Sequence, residues 1–171
     1  MVAATCQDKT SDTSLTSPDG EINVSFSLSQ EGIPHYLVSA YGQAVINSSE
    51  LGLEAAEAEL AKGFTIKEIH RSSKDEQWEQ PWGENKVMRD NHREMAVEMS
   101  NGQGVKLTLR FKAFDDGVGY RYEYDATAVT DSLTIIGDHT YFNFAQDGMS
   151  WSIGSYFSGY ELPYREQAIS A

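Results

Sequence analysis

A chain of 171 residues that is 40% hydrophobic and 11% aromatic carries enough apolar surface for one packed domain, or for part of a larger all-β domain, and is too apolar to stay disordered. Its formal net charge of −13 repels phosphate. That excludes nucleic acid as a partner and disfavours an anionic membrane surface, and it suits neutral ligands or cations such as Ca²⁺.

The single cysteine, Cys6, rules out an internal disulfide and a thiolate metal cluster, and no run is apolar for long enough to span a bilayer. Residues 1–17 read as a flexible linker of Ser, Thr, Asp and Lys with little to bury. "MVAATC" followed by polar "QDKTSDTSLTS" looks like the tail of a bacterial lipoprotein signal and its tether. On that reading Cys6 carries a lipid and the protein is a periplasmic or outer-membrane lipoprotein. An incidental cysteine in a floppy terminus is the alternative.

From Ser17 the pattern changes. "SPDG" is a turn, and "EINVSFSLS" alternates Ile22, Val24, Phe26 and Leu28 with polar residues, which predicts a half-buried strand. "HYLVSAYG" and "QAVIN" read as short strands separated by Gly42. Residues 51–63, "LGLEAAEAELAKG", combine helix formers with a glycine at a C′ position, so a short surface helix or an ordered loop is expected. "FTIKEIH" alternates again, with Phe64, Ile66 and Ile69 as inward candidates.

The segment "WEQPWGENKVMRD" at 78–90 fits neither regular element. After it, "EMAVEMS", "VKLTLRF" and "VGYRYEY" alternate strictly, joined by "NGQG" and "FDDG". Glycines at positions needing positive φ make this a three-stranded antiparallel meander with one buried face. "DSLTIIG", "TYFNF" and "MSWSIG" read as further strands, and nothing in "SGYELPYREQAISA" looks like a closing strand. The expected fold is an all-β antiparallel β-sandwich over residues 18–171, incomplete as it stands because a sheet edge or apolar face would be left uncovered.

Five stretches, in order, carry a family resemblance: "SPDGEINVSFSL" at 17–28, "LGL" at 51–53, "WEQPWGENKVMRDNHRE" at 78–94, "LRFKAFDDGVGYRYEY" at 109–124 and "GYELPY" at 159–164. Together they resemble the N-terminal domain of glycoside hydrolase family 97. The resemblance implies a β-supersandwich of the galactose-mutarotase type that precedes a catalytic (β/α)8 barrel. It also implies calcium-dependent cleavage of α-linked glucosides or galactosides, with the catalytic carboxylates on the barrel. In that family a glutamate of the N-terminal domain helps the barrel hold Ca²⁺, and Glu161 in its Tyr-Glu context is the matching position.

Glycoside hydrolysis needs two carboxyl groups about 5–10 Å apart across the scissile bond. Asp115 and Asp116 sit in a turn, where backbone geometry explains them; Glu79, Glu84 and Asp90 are contact candidates. There is no Gly-x-Ser-x-Gly elbow, and His35, His70, His92 and His139 show no zinc spacing among themselves. An acid–base pair of His92 or His139 with Glu161 is conceivable, though no spacing favours it. Trp78, Trp82 and Glu84 are the candidate sugar-binding residues. Tryptophans more often serve as a buried plug or as packing against a neighbouring domain, and that is the expectation for this pair. The expected role is a non-catalytic domain of an α-glycosidase, inactive alone, bracing the barrel, shaping the sugar pocket and sharing Ca²⁺. The alternatives are a stand-alone carbohydrate-binding envelope lipoprotein and a non-catalytic interaction protein of the envelope.

Overall fold

In a computed structural model, residues 12–125, 132–154, 158–159 and 161–170 are described. Strands β1 (Ser14–Thr16), β2 (Ile22–Leu28), β3 (Pro34–Ala40) and β4 (Gln43–Glu50) form one antiparallel sheet in chain order. The Ser17–Gly20 turn is closed by Ser17 N–H donating to Ile22 O at 2.8 Å and Gly20 N–H to Ser17 O at 3.1 Å. Between β3 and β4, Tyr41 and Gly42 take φ values of 52° and 73°, the pair of positive values that matches a two-residue hairpin to strand twist.

The chain then forms β5 (Leu53–Ala55) and β6 (Glu59–Leu60), followed by β7 (Phe64–Glu79), β8 (Val87–Asn101), β9 (Lys106–Phe114) and β10 (Gly117–Tyr124). The last four make a second antiparallel sheet with β7 at one edge. Leu15, Val24, Phe26, Tyr36 and Ile46 from the first sheet pack against Phe64, Met95, Val97, Met99, Leu107, Leu109, Phe111 and Ala113 from the second. This is a sandwich core: inward residues alternate with outward polar ones on both sides, and each large side chain buried contributes roughly 1.5–3 kcal/mol.

In β7 the inward residues change parity. Ile66 pairs with Met99 and Glu68 with Glu98, so Lys67 is an unpaired bulge residue. That one extra residue is why Phe64, Ile66 and then Ile69 all reach the core.

The remaining elements are β11 (Ile135–Asp138), which pairs with β5, and β12 (Met149–Ser152), which pairs with β13 (Arg165–Ala168). Residues 139–145 run along β4: Tyr141 N–H donates to Glu50 O at 3.0 Å, Asn47 N–H to Asn143 O at 2.8 Å and Ala145 N–H to Val45 O at 3.0 Å. They cover the open edge of the first sheet. "TYFNF" is therefore an irregular edge segment with one bridge, Phe144 to Ile46, where a strand was expected.

Three further expectations are corrected. The sheet begins at Ser14, with Leu15 buried, so the linker ends earlier than residue 17; residues 1–11, Cys6 included, lie outside the described residues. Residues 51–63 contain no helix. Leu51 and Leu60 are both buried, and nine residues at about 100° each would have put them half a turn apart on a helix; the β5–β6 hairpin buries both. Lastly, residues 165–168 do form a pairing strand. "REQA" has no apolar alternation, so backbone bonds alone define it.

Candidate functional site

The Trp segment is the tip of a long hairpin. Residues Lys74–Glu79 of β7 pair with Val87–His92 of β8, whereas β9 pairs with β8 only over Arg93–Ser100. The distal half is thus a two-stranded ribbon standing beyond the sandwich, and β7 is exposed from His70 onward. Ion pairs flank its backbone ladder. Arg89 donates two hydrogen bonds of 2.8 Å to the Asp75 carboxylate; Lys74 Nζ bonds Glu76 and lies 3.5 Å from Asp90; Lys86 Nζ is 3.6 Å from Glu79. Hydrogen bonding from Arg89 holds the Asp75 carboxyl below the usual carboxylate range.

At the root of the ribbon His92 is buried against Asp90 and against the Phe114 ring, whose centroid is 5.1 Å away. That hydrogen bond also depresses the Asp90 pKa. His139 Nε2 lies 3.2 Å from Glu54. Each histidine therefore has a carboxylate partner other than Glu161, and the imagined acid–base pairs with Glu161 are not formed.

The tip itself closes by Gln80 N–H donating to Lys86 O at 3.1 Å and Gln80 Nε2 to Asn85 O at 3.0 Å. Gly83 takes φ 112°, and a Cβ there would meet Gln80 Nε2 at 2.8 Å. Trp78 is 46% exposed and Trp82 81%. Neither plugs the sandwich, because the ribbon carries both beyond its end. Glu84 is exposed beside Trp82 and has no polar partner among the described residues. Trp78, Trp82 and Glu84 are thus all exposed at or beside the ribbon's tip.

Glu161 lies in the coil before β13, exposed and with no ion pair among the described residues. A free carboxylate is the right donor for Ca²⁺, but it supplies at most two of the 6–8 oxygens the ion takes. Asp115 accepts the Asp19 N–H at 2.9 Å and does loop work. Further exposed apolar side chains are Ile135, Ile136, Phe142, Trp151 and Tyr164. One group escaped the sequence reading: Glu68, His70 and Glu98 bring three ligand atoms within 4.8 Å of one another. Glu-x-His in a strand was its only visible sign, since the third member depends on strand register.

The family model described as Glycosyl-hydrolase 97 N-terminal matches residues 15–171. The chain belongs to glycoside hydrolase family 97, as its N-terminal domain. Solved structures of a family 97 enzyme from Pseudoalteromonas sp. strain K8 agree. The E480Q variant in complex with panose superimposes at TM-score 0.81 and the complex with acarbose at 0.82, each with 34% identity over 90% of this chain and 24% of that one. A β-arabinopyranosidase structure shares the fold at TM-score 0.77 with 21% identity, over 90% of this chain and 26% of the other. The family 97 chain thus spans about a quarter of the length of the structures it matches.

Proposed function

We propose that this family 97 domain is the non-catalytic partner of a (β/α)8 barrel in an α-glycosidase acting on α-linked oligosaccharides. It braces the barrel through the exposed apolar side chains of residues 135–164, presents Trp78 and Trp82 as one wall of the sugar path, and lends Glu161 to a shared Ca²⁺. The observation that carries the reading is the family match over nearly the whole described chain, in relatives about four times its length. The two exposed tryptophans support the sugar-facing role, because a sugar's C–H face stacks on an aromatic ring. The panose and acarbose complexes of the 34%-identical enzyme support α-glucosides as the substrate class. On the same reading Cys6 carries a lipid and the protein sits in the periplasm or at the outer membrane.

The test uses this chain alone and joined to a family 97 barrel, with p-nitrophenyl α-glucoside as substrate. The chain alone is expected to be inactive. In the joined protein, Glu161→Gln is expected to weaken Ca²⁺ binding, measured calorimetrically, by roughly tenfold or more, as loss of one charged ligand does. Hydrolysis by the chain alone, or unchanged Ca²⁺ affinity in the variant, would refute the corresponding assignment.

A further inference from the structure

The outer face of the second sheet holds a group that neither sugar nor calcium chemistry uses. Glu68 and Glu98 are direct cross-strand partners, and His70 stands two residues along β7, opposite Ala96. Ala96 offers only a methyl, so the imidazole leans over it toward the acids. His70 Nε2 lies 3.1 Å from Glu98 Oε1 and 3.7 Å from Glu68 Oε2. A tetrahedral ion holding nitrogen and oxygen donors at about 2.0–2.2 Å keeps neighbouring donors about 3.4 Å apart. The two separations straddle that value without any backbone change.

The opposed charges add to the geometry. Two carboxylates directly opposed across a ladder repel each other. Elsewhere on the same face each buried or half-buried acid meets a fixed cation: Glu94 meets Arg110 and Lys112, Glu123 meets Arg110 and Arg121, and Asp90 meets Lys74. Among the described residues, Glu68 and Glu98 form ion pairs with His70 alone, an imidazole rather than a fixed cation. Lys67 and Lys106 line the adjoining groove with Glu98 without pairing to it.

We propose that Glu68, His70 and Glu98 form a surface site for a divalent transition cation of the Zn²⁺ class. The ion would neutralise the opposed carboxylates, leave a fourth position for water, and clip the edge strand β7 to β8 within the body of the sheet, at a level where β9 still pairs with β8. The imidazole donor selects against Ca²⁺ and Mg²⁺, which prefer oxygen ligands alone.

Calorimetric titration of the chelator-treated chain with zinc chloride, near neutral pH, tests this. One Zn²⁺ per chain is expected, with affinity lowered at least ~10-fold in both His70→Ala and Glu98→Gln, and with Co²⁺ giving a visible-absorption band that the variants lose. All three side chains are exposed, so the variants should fold; far-UV circular dichroism checks this, and His70→Gln serves as the replacement if His70→Ala fails. No saturable Zn²⁺ binding, binding that survives both substitutions, or Ca²⁺ bound as tightly as Zn²⁺ would overturn the proposal.

Discussion

At the scale of single residues, the most consequential polar contact is Arg110 on the second sheet. Its guanidinium donates to Glu123 Oε1 and Oε2 at 2.6 and 2.8 Å and also to Glu94. Hydrogen bonding from Arg110, with help from Arg121, lowers the Glu123 pKa from 4.5 to about 2. A carboxyl whose pKa is depressed by folding adds stability that is complete above its unfolded value and is lost as pH falls through the folded one. The window for Glu123 therefore runs from about 4.5 down to about 2. Glu123→Gln should lower stability near neutral pH on the order of 1 kcal/mol after solvent screening. It should also flatten the fall in urea midpoint across that window; an unchanged acid limb would show that the contact contributes nothing. None of this was visible in the sequence, where Arg110 and Glu123 are thirteen positions apart and only register makes them neighbours.

At the scale of elements, the β2–β3 turn is locked to the start of β7. Gly63 N–H donates to Glu31 O at 2.9 Å and Phe64 N–H to Gly32 O at 3.1 Å. Gly32 takes φ 71°, and a Cβ there would fall 2.4 Å from Phe64 N and 2.6 Å from Phe64 O, both rigid backbone. Gly32→Ala should therefore cost roughly 2–5 kcal/mol, combining left-handed strain with overpacking. Gly20→Ala, at φ 89° but facing open space, should cost about 1–2 kcal/mol. Equal melting temperatures for the two variants would remove the close approach from the account.

The elements most legible in the sequence were those whose apolar residues alternate between turns of known chemistry. The β8–β10 meander is the best case. Asn101 Oδ1 accepts the N–H groups of Gln103 and Val105 at 3.0 Å each, as an Asn-Gly turn leads one to expect. The β5–β6 hairpin was illegible because local alanine and glutamate favour helix while burial of Leu51 and Leu60 decides otherwise. The bulge at Lys67 was hidden too, since no residue type there demands it. The tip tryptophans could be found but not placed: whether they are inside or outside depends on where β9 stops accompanying β8.

At the scale of the whole molecule, stability is concentrated where the two four-stranded sheets meet. The strands β2, β8 and β9 carry most of the fully buried side chains, whereas β12 and β13, among the described residues, pair only with each other and expose Met149 and Trp151. Native-state hydrogen exchange should accordingly show the slowest amides in Val24, Val97 and Leu109, and much faster exchange in β12 and β13. Uniform protection across the described strands would contradict a single sandwich core. Joining the chain to a barrel should slow exchange in residues 135–168 specifically, if the exposed apolar side chains there are where the barrel docks.

The ribbon beyond the sandwich is braced by Asp75–Arg89 and Glu79–Lys86 at the surface and by Lys74–Asp90 at its half-buried root. Mobile counterions weaken such braces while leaving apolar packing largely intact. Raising ionic strength should then slacken this arm while the body stays taut. If Trp78 and Trp82 face the sugar path as proposed, an uncharged glycan stacked on them would be held more weakly in brine than in dilute buffer.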